Sequence, residues 1–132
     1  MALANGCFDV LHVGHVRLLA SARQHCDVLV VALNSDESTR ASKGPSRPLV
    51  PLGERLELVA ALAGVDYVTS FGEPTADAII RALRPDLLVK GTDRTPEGLP
   101  ERDTLTACGG RVLICGDPKA HSSSELIRRL GG

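Results

Sequence analysis

The sequence predicts an α/β fold: a doubly wound, parallel sheet of five strands with helices on both faces, in a single domain over residues 1–132. Three observations lead there. Short, almost wholly apolar runs alternate with longer stretches of helical periodicity. A length of 132 residues fits one domain and leaves little room for a second. The polar clusters all follow the apolar runs, at what would be the carboxyl edge of a parallel sheet, where such sheets bind ligands.

The elements are read in chain order. Ala2–Ala4 is a short first strand, and Val13–Arg23 a helix with apolar Val13, Val16, Leu19 and Ala20. Val28–Leu33 is a β-branched-rich second strand. From Asn34 to Pro51 the chain is polar and holds three prolines, so a long functional loop, a mobile lid, is expected. Gly53–Leu62 is helical, with Leu56, Val59, Ala60 and Ala63 on one side. Tyr67–Val68 is the third strand, Ala76–Leu83 a helix and Leu87–Val89 the fourth strand. Pro96–Cys108 is helical in part, with Pro100 interrupting or restarting it. Gly109-Gly110 turns into the fifth strand, Val112–Cys115. A last helix, Ser123–Leu130, opens with Ser122-Ser123-Ser124-Glu125, which fits a capping box with Ser122 as cap.

Composition excludes several functions. A net charge of −1 argues against a domain that coats nucleic acid. Phe8, Tyr67 and Phe71 are the whole aromatic set, too few for a base-stacking platform. Cys7, Cys26, Cys108 and Cys115 form no CxxC pair and match no zinc spacing, so reduced thiols in a cytoplasmic protein are expected. No apolar run approaches the length of a membrane span, and the start does not read as a signal peptide.

The sharpest signal is Asn5-Gly6-Cys7-Phe8-Asp9-Val10-Leu11-His12-Val13-Gly14-His15, a strand end, a turn and a helix start. Backbone N–H groups at a helix start favour an anion. His12 and His15 are three apart and share one side of a turn. Gly14 between them lets a ligand approach the backbone. Two imidazoles there suit a phosphate whose charge grows in a transition state. Taken alone, the pair also fits a partial metal site or a solvated helix face, with Asp9 the one nearby third ligand.

The segment resembles the HxGH signature of the cytidylyltransferase-like nucleotidyltransferase superfamily, whose fold is Rossmann-like. The resemblance covers nearly the whole chain: Asn5–His15; Asn34-Ser35-Asp36 with Lys43-Gly44, Arg47-Pro48 and Pro51; Arg55; Pro85–Asp93; and Gly109–Val112. These details are most similar to the adenylyltransferase domain of the heptose-phosphate enzyme. The resemblance implies that His12, His15 and Lys43 are catalytic, stabilising the triphosphate during attack. It implies nucleotide contacts from Cys7, Phe8, Gly14, Lys90, Gly91, Asp93, Ser122, Ser123 and Ser124. It implies acceptor contacts from Asn5, Asp9 and Arg55, with Arg55 alternatively orienting the loop. Asp36 and Glu37 are given no role.

The implied reaction is in-line attack of a phosphate or phosphonate oxygen on the α-phosphorus of a nucleoside triphosphate, with pyrophosphate leaving. Mg²⁺ would travel with the triphosphate, and no side chain is assigned to a metal. The sequence departs from the cytidylyltransferase pattern at Gly116–His121, where an arginine-threonine pair is absent. Lys119 there does not replace a bidentate guanidinium. CTP with 2-hydroxyethylphosphonate is the chosen pair, as in the cytidylyltransferase domain of the fosfomycin pathway, and the chain is then expected to be a piece of a larger fusion. The alternatives are adenylylation of a heptose 1-phosphate and a nucleotide-binding module without turnover. The resemblance also implies a homodimer; nucleic acid and membrane are not expected partners.

Overall fold

The computed structural model describes residues 1–92 and 95–116. The five expected strands are present as β1 (Ala2–Gly6), β2 (Leu29–Asn34), β3 (Tyr67–Phe71), β4 (Leu87–Lys90) and β5 (Arg111–Ile114). All pair in parallel, in the order β3-β2-β1-β4-β5. The strand order therefore reverses between β1 and β4, whose register sets Ala4 against Val89. A crevice opens at such a switch point because neighbouring connections leave for opposite faces.

Alternation along the strands builds two cores, since successive side chains face opposite sides. Ala2, Ala4, Leu29, Val31, Leu33, Leu87 and Val89 face one side. There they meet Leu19 and Ala22 of α1 (Val13–Arg23) and Val59 of α3 (Leu52–Ala60). Leu3, Val30, Ala32 and Leu88 face the other side, with Ile80 of α4 (Asp77–Leu83) and Leu105 of α5 (Arg102–Ala107). Among the described residues no helix is long and apolar enough to cross a membrane.

Three expectations need correction. The apolar stripe expected of α1 is rotated: Val13 and Val16 are 42% and 43% exposed, while Leu19 and Ala22 are buried. Val13 and Val16 fall in the first turn, ahead of the Leu19 and Ala22 positions that pack on the core. In α3, Val59 is buried with Arg55 one turn before it, but Ala60 lies off that buried side and Ala63 beyond the helix end, and both are exposed. The Asn34–Pro51 segment is no structureless loop, since α2 occupies Asp36–Lys43. Ser35 Oγ caps it by accepting from the Ser38 N–H, Asp36 and Glu37 sit in its first turn, and Arg40 and Lys43 in its last. Such charges complement the helix dipole. Pro100 separates a 3-10 turn (Pro96–Gly98) from α5, as expected. The helix expected at Ser123–Leu130 and its Ser122 cap lie outside the described residues.

The Gly109-Gly110 turn is tighter than a plain connection. Gly109 has φ +82, and the N–H groups of Gly109 and Gly110 bond back to the Thr106 and Leu105 carbonyls at 3.0 and 2.9 Å. This is a Schellman close, which favours glycine in the left-handed position. A Cβ on Gly110 would lie 2.6 Å from the Pro85 carbonyl oxygen and 2.6 Å from Leu105 Cδ1. Gly110→Ala should therefore lose about 1–3 kcal/mol of stability, since backbone must move. Urea unfolding measures this, and a variant as stable as the wild type contradicts the packing described.

Candidate active site

A cavity of about 430 Å³ lies over the carboxyl ends of the central strands. Its wall takes Asn5–Asp9 from the end of β1 and the turn after it, Asn34 from β2, Phe71 from β3 with Pro74, Thr75 and Ala76 beyond it, and Lys90 and Gly91 from the end of β4. Ser42 and Lys43 come from the end of α2, and Arg47 from the segment after it. The size is that of a small-ligand site. Clusters read as scattered along the sequence thus share one rim.

His12 and His15 both line this cavity. His12 is the N-cap of α1, with an extended backbone, and its Nδ1 accepts from the Gly14 N–H at 3.1 Å. His15 Nδ1 accepts from the His12 N–H at 3.3 Å. The two rings stack with centroids 3.9 Å apart, and Phe8 lies against His15 at 5.0 Å. A backbone N–H can only donate, so each Nδ1 keeps its lone pair and the neutral ring carries its hydrogen on Nε2. The pair is therefore a reciprocal helix cap built from imidazoles, holding two Nε2–H donors in a fixed mutual orientation.

Phe8 holds φ +49, an uncommon conformation for a non-glycine residue, and is buried with its ring over Gly6. The turn thereby brings the backbone of Cys7 and Phe8 to the cavity wall. Cys7 Sγ donates to Asn34 Oδ1 at 3.6 Å, joining the ends of β1 and β2. Across the switch point Lys90 Nζ donates to Asn5 Oδ1 at 3.2 Å.

Asp9 is 2% exposed and holds the α2–α3 connection down. Its Oδ1 accepts from the N–H groups of Leu49 and Val50, both at 2.9 Å. Its Oδ2 accepts from Arg47 Nε at 2.8 Å and from the Leu49 N–H at 3.0 Å. Burial alone would raise the Asp9 carboxyl, but the bonds from Val50, Arg47 and Leu49 and the Arg47 charge outweigh it and hold it below its ordinary value.

Two expected acceptor contacts, Asp9 and Arg55, have protein partners in this geometry. The oxygens of Asp9 are already engaged by Arg47, Leu49 and Val50, so Asp9 acts as a latch on the loop. Arg55 is fully buried and does not reach the cavity wall. Its Nη1 donates to the carbonyls of Cys7 and Asn34 at 2.7 and 2.9 Å, Nε to Val50 at 2.8 Å, and Nη2 to Asp36 Oδ1 at 2.7 Å. Arg55 sits four residues before Val59 on the inward side of α3, where it collects carbonyls left at strand and loop ends. These bonds tie it to Val50 and Asp36, at the two ends of the α2–α3 segment.

Asn5, Cys7, Phe8, Asp9, His12, His15, Lys43, Lys90 and Gly91 are at the wall. Gly14 is not, its N–H being given to His12. Asp93, Ser122, Ser123 and Ser124 lie outside the described residues. Sequence reasoning missed Asp36, which holds Arg55 and also accepts from the Leu52 N–H at 3.0 Å. Its place directly after the capping Ser35 was the available signal. It also missed Glu101, for which no sequence signal exists.

A parallel sheet with its switch point between β1 and β4 thus carries paired histidines at the cavity wall beside it. The chain belongs to the cytidylyltransferase-like family, whose model matches residues 3–129. It is 48% identical over 130 residues to the bifunctional protein HldE of Syntrophotalea carbinolica, covering 98% of this chain and 26% of that protein. It is 45% identical to the bifunctional protein HldE of Gluconacetobacter diazotrophicus, covering 98% and 27%. The chain thus spans about a quarter of the length of these curated relatives. A solved structure described as the lipopolysaccharide core biosynthesis protein from Thermoplasma volcanium superposes with a TM-score of 0.70 at 27% identity, covering 86% of this chain and 91% of that one.

The Asp9 latch makes a pH prediction. A carboxyl held below its ordinary value stabilises the fold fully above the unfolded value and loses that contribution as pH falls through the folded one. Asp9→Asn should cost about 2–3 kcal/mol at neutral pH. The difference from wild type should be constant above about pH 5 and shrink below about pH 4. Thermal unfolding of both proteins across this range measures it; no difference at neutral pH, or one unchanged in acid, contradicts the latch.

Proposed function

We propose that this domain transfers AMP from ATP to the phosphate of a heptose 1-phosphate and releases pyrophosphate. The carrying observation is the match over 98% of the chain, at 45–48% identity, to relatives named bifunctional protein HldE. That is the heptose-phosphate enzyme whose adenylyltransferase domain the sequence resembles. The same observation favours this reading over CTP with 2-hydroxyethylphosphonate, for which no comparison gives support.

In the proposed reaction an ionised acceptor oxygen attacks the α-phosphorus in line. The new P–O bond forms as the bond to the bridging α–β oxygen breaks, and pyrophosphate carries off that electron pair. No general base is needed, since the attacking oxygen is already charged. The Nε2–H groups of His12 and His15 donate to phosphate oxygens as charge builds, and Lys43 adds a point charge. Fixed donors of this kind need no reorganisation when the reaction occurs. Backbone at Cys7 and Phe8 cradles phosphate; Lys90, Gly91 and Asp93 take the nucleoside; Ser122, Ser123 and Ser124 take the outer phosphates. Asn5 faces the acceptor. Mg²⁺ enters on the triphosphate as part of the substrate and neutralises charge there.

Pyrophosphate release with four nucleotides against heptose 1-phosphate, other sugar phosphates and 2-hydroxyethylphosphonate tests the reading. ATP with heptose 1-phosphate should turn over fastest. Fastest turnover of CTP with the phosphonate would overturn it, and tight nucleotide binding without release would favour a silent module. His12→Ala and His15→Ala should each lower kcat by about 10²–10³. Near-normal kcat in either removes the histidines from the mechanism.

A further inference from the structure

One carboxylate on the cavity wall has no part in the chemistry above. Glu101, at the start of α5, is 5% exposed and lines the cavity. Its Oε2 accepts from the Ala76 N–H at 3.2 Å, at the start of α4. Its Oε1 is buried with no hydrogen-bond partner. Buried polar atoms are almost always paired, because an unpaired one forfeits its hydration without return. An ionised carboxylate accepts and never donates, so what it lacks is a donor.

Position gives the class of donor. The nucleotide groups proposed above lie at β1 and β4, on either side of the switch point. Glu101 is tied instead to Ala76, beyond the end of β3, beside Phe71, Pro74 and Thr75 on the same wall. Among the strands that line the cavity, β3 is the farthest in order from β4. The cationic groups Lys43, Arg47 and Lys90 line the wall as well, so phosphate has partners elsewhere in the cavity and is repelled by a carboxylate. The terminal torsion of a glutamate is soft, so one oxygen can turn to the cavity while the other keeps the Ala76 N–H.

We infer that Glu101 is a specificity-determining residue that accepts hydrogen bonds from hydroxyl groups of the acceptor, selecting a polyhydroxylated sugar phosphate over a bare phosphate or phosphonate. The inference rests on the transfer reaction proposed above and deepens it. The hydroxyl-bearing part of the acceptor sits toward β3, with its phosphate directed at the histidine rim. Glu101 acts on binding of the sugar and not on the reacting phosphorus.

Steady-state kinetics with heptose 1-phosphate and with methyl phosphate separate this role from a structural one, alongside calorimetric titration of heptose 1-phosphate without nucleotide. Glu101→Gln, which can keep the bond from Ala76, should raise KM and Kd for the sugar phosphate about tenfold, and Glu101→Ala about 100-fold. KM for ATP and for methyl phosphate should stay within about twofold in the Gln variant, with an unchanged Tm, because its sugar contact alone is weakened. An unchanged sugar-phosphate KM and Kd, or equal losses for both acceptors, would overturn the inference, as would a wild type that binds no sugar phosphate. If Glu101→Ala fails to fold, the Gln variant still decides. Wild-type binding without pyrophosphate release would sink the transfer reading, while the calorimetric comparison still reads the role of Glu101.

Discussion

The start of α1 is closed by its own two histidines, and the geometry of the rim follows from that constraint. A helix start leaves N–H groups without partners inside the helix. Serine, threonine or aspartate usually supplies the acceptor. Here His12 and His15 supply it through Nδ1, to the amides of Gly14 and His12. The same bonds that finish the helix fix which ring atom bears hydrogen and how the two rings stand against each other. Structure and chemistry therefore share one set of contacts, and a group that is already held does not have to be ordered when a ligand arrives.

The rest of the rim is held by buried charge. Arg55 and Asp9 are both removed from water, which is costly unless every charge is paired. Each is paired several times over, and the partners tie opposite ends of one segment. Arg55 joins Asp36 at the start of α2 to the carbonyls of Cys7, Asn34 and Val50. Asp9 takes Arg47, Leu49 and Val50 after α2. Between these ties α2 delivers Lys43 to the cavity wall. The positioning of a point charge on a polar segment with three prolines thus depends on ion pairs several residues away.

What the sequence disclosed, and what it hid, follows from the range of the interactions. The strands were legible because a parallel strand covered on both faces must be apolar throughout, as Val28–Leu33 is. The convergence of polar clusters was legible because every strand runs the same way. The polar helix α2 carries no apolar period, so only its cap at Ser35 and its graded charges announced it. The acceptor contact expected of Arg55 came from the family resemblance; its phase with Val59, on the buried side of α3, points it inward. Glu101 was invisible, since its environment is made by Ala76, a residue 25 positions away. Asp93 and Ser122–Ser124 belong to the site only through the sequence resemblance.

The central claim is that His12 and His15, fixed through Nδ1, present Nε2–H to the phosphates of a nucleotide. Two-bond ¹⁵N–¹H correlation spectra of histidine-labelled protein, recorded during titration with magnesium ATP, address it directly. The account predicts that both residues show the Nε2–H tautomer before nucleotide is added, and that their Nε2 resonances shift as the site fills. An Nδ1–H tautomer at either residue, or Nε2 resonances that do not move at saturating nucleotide, would contradict it.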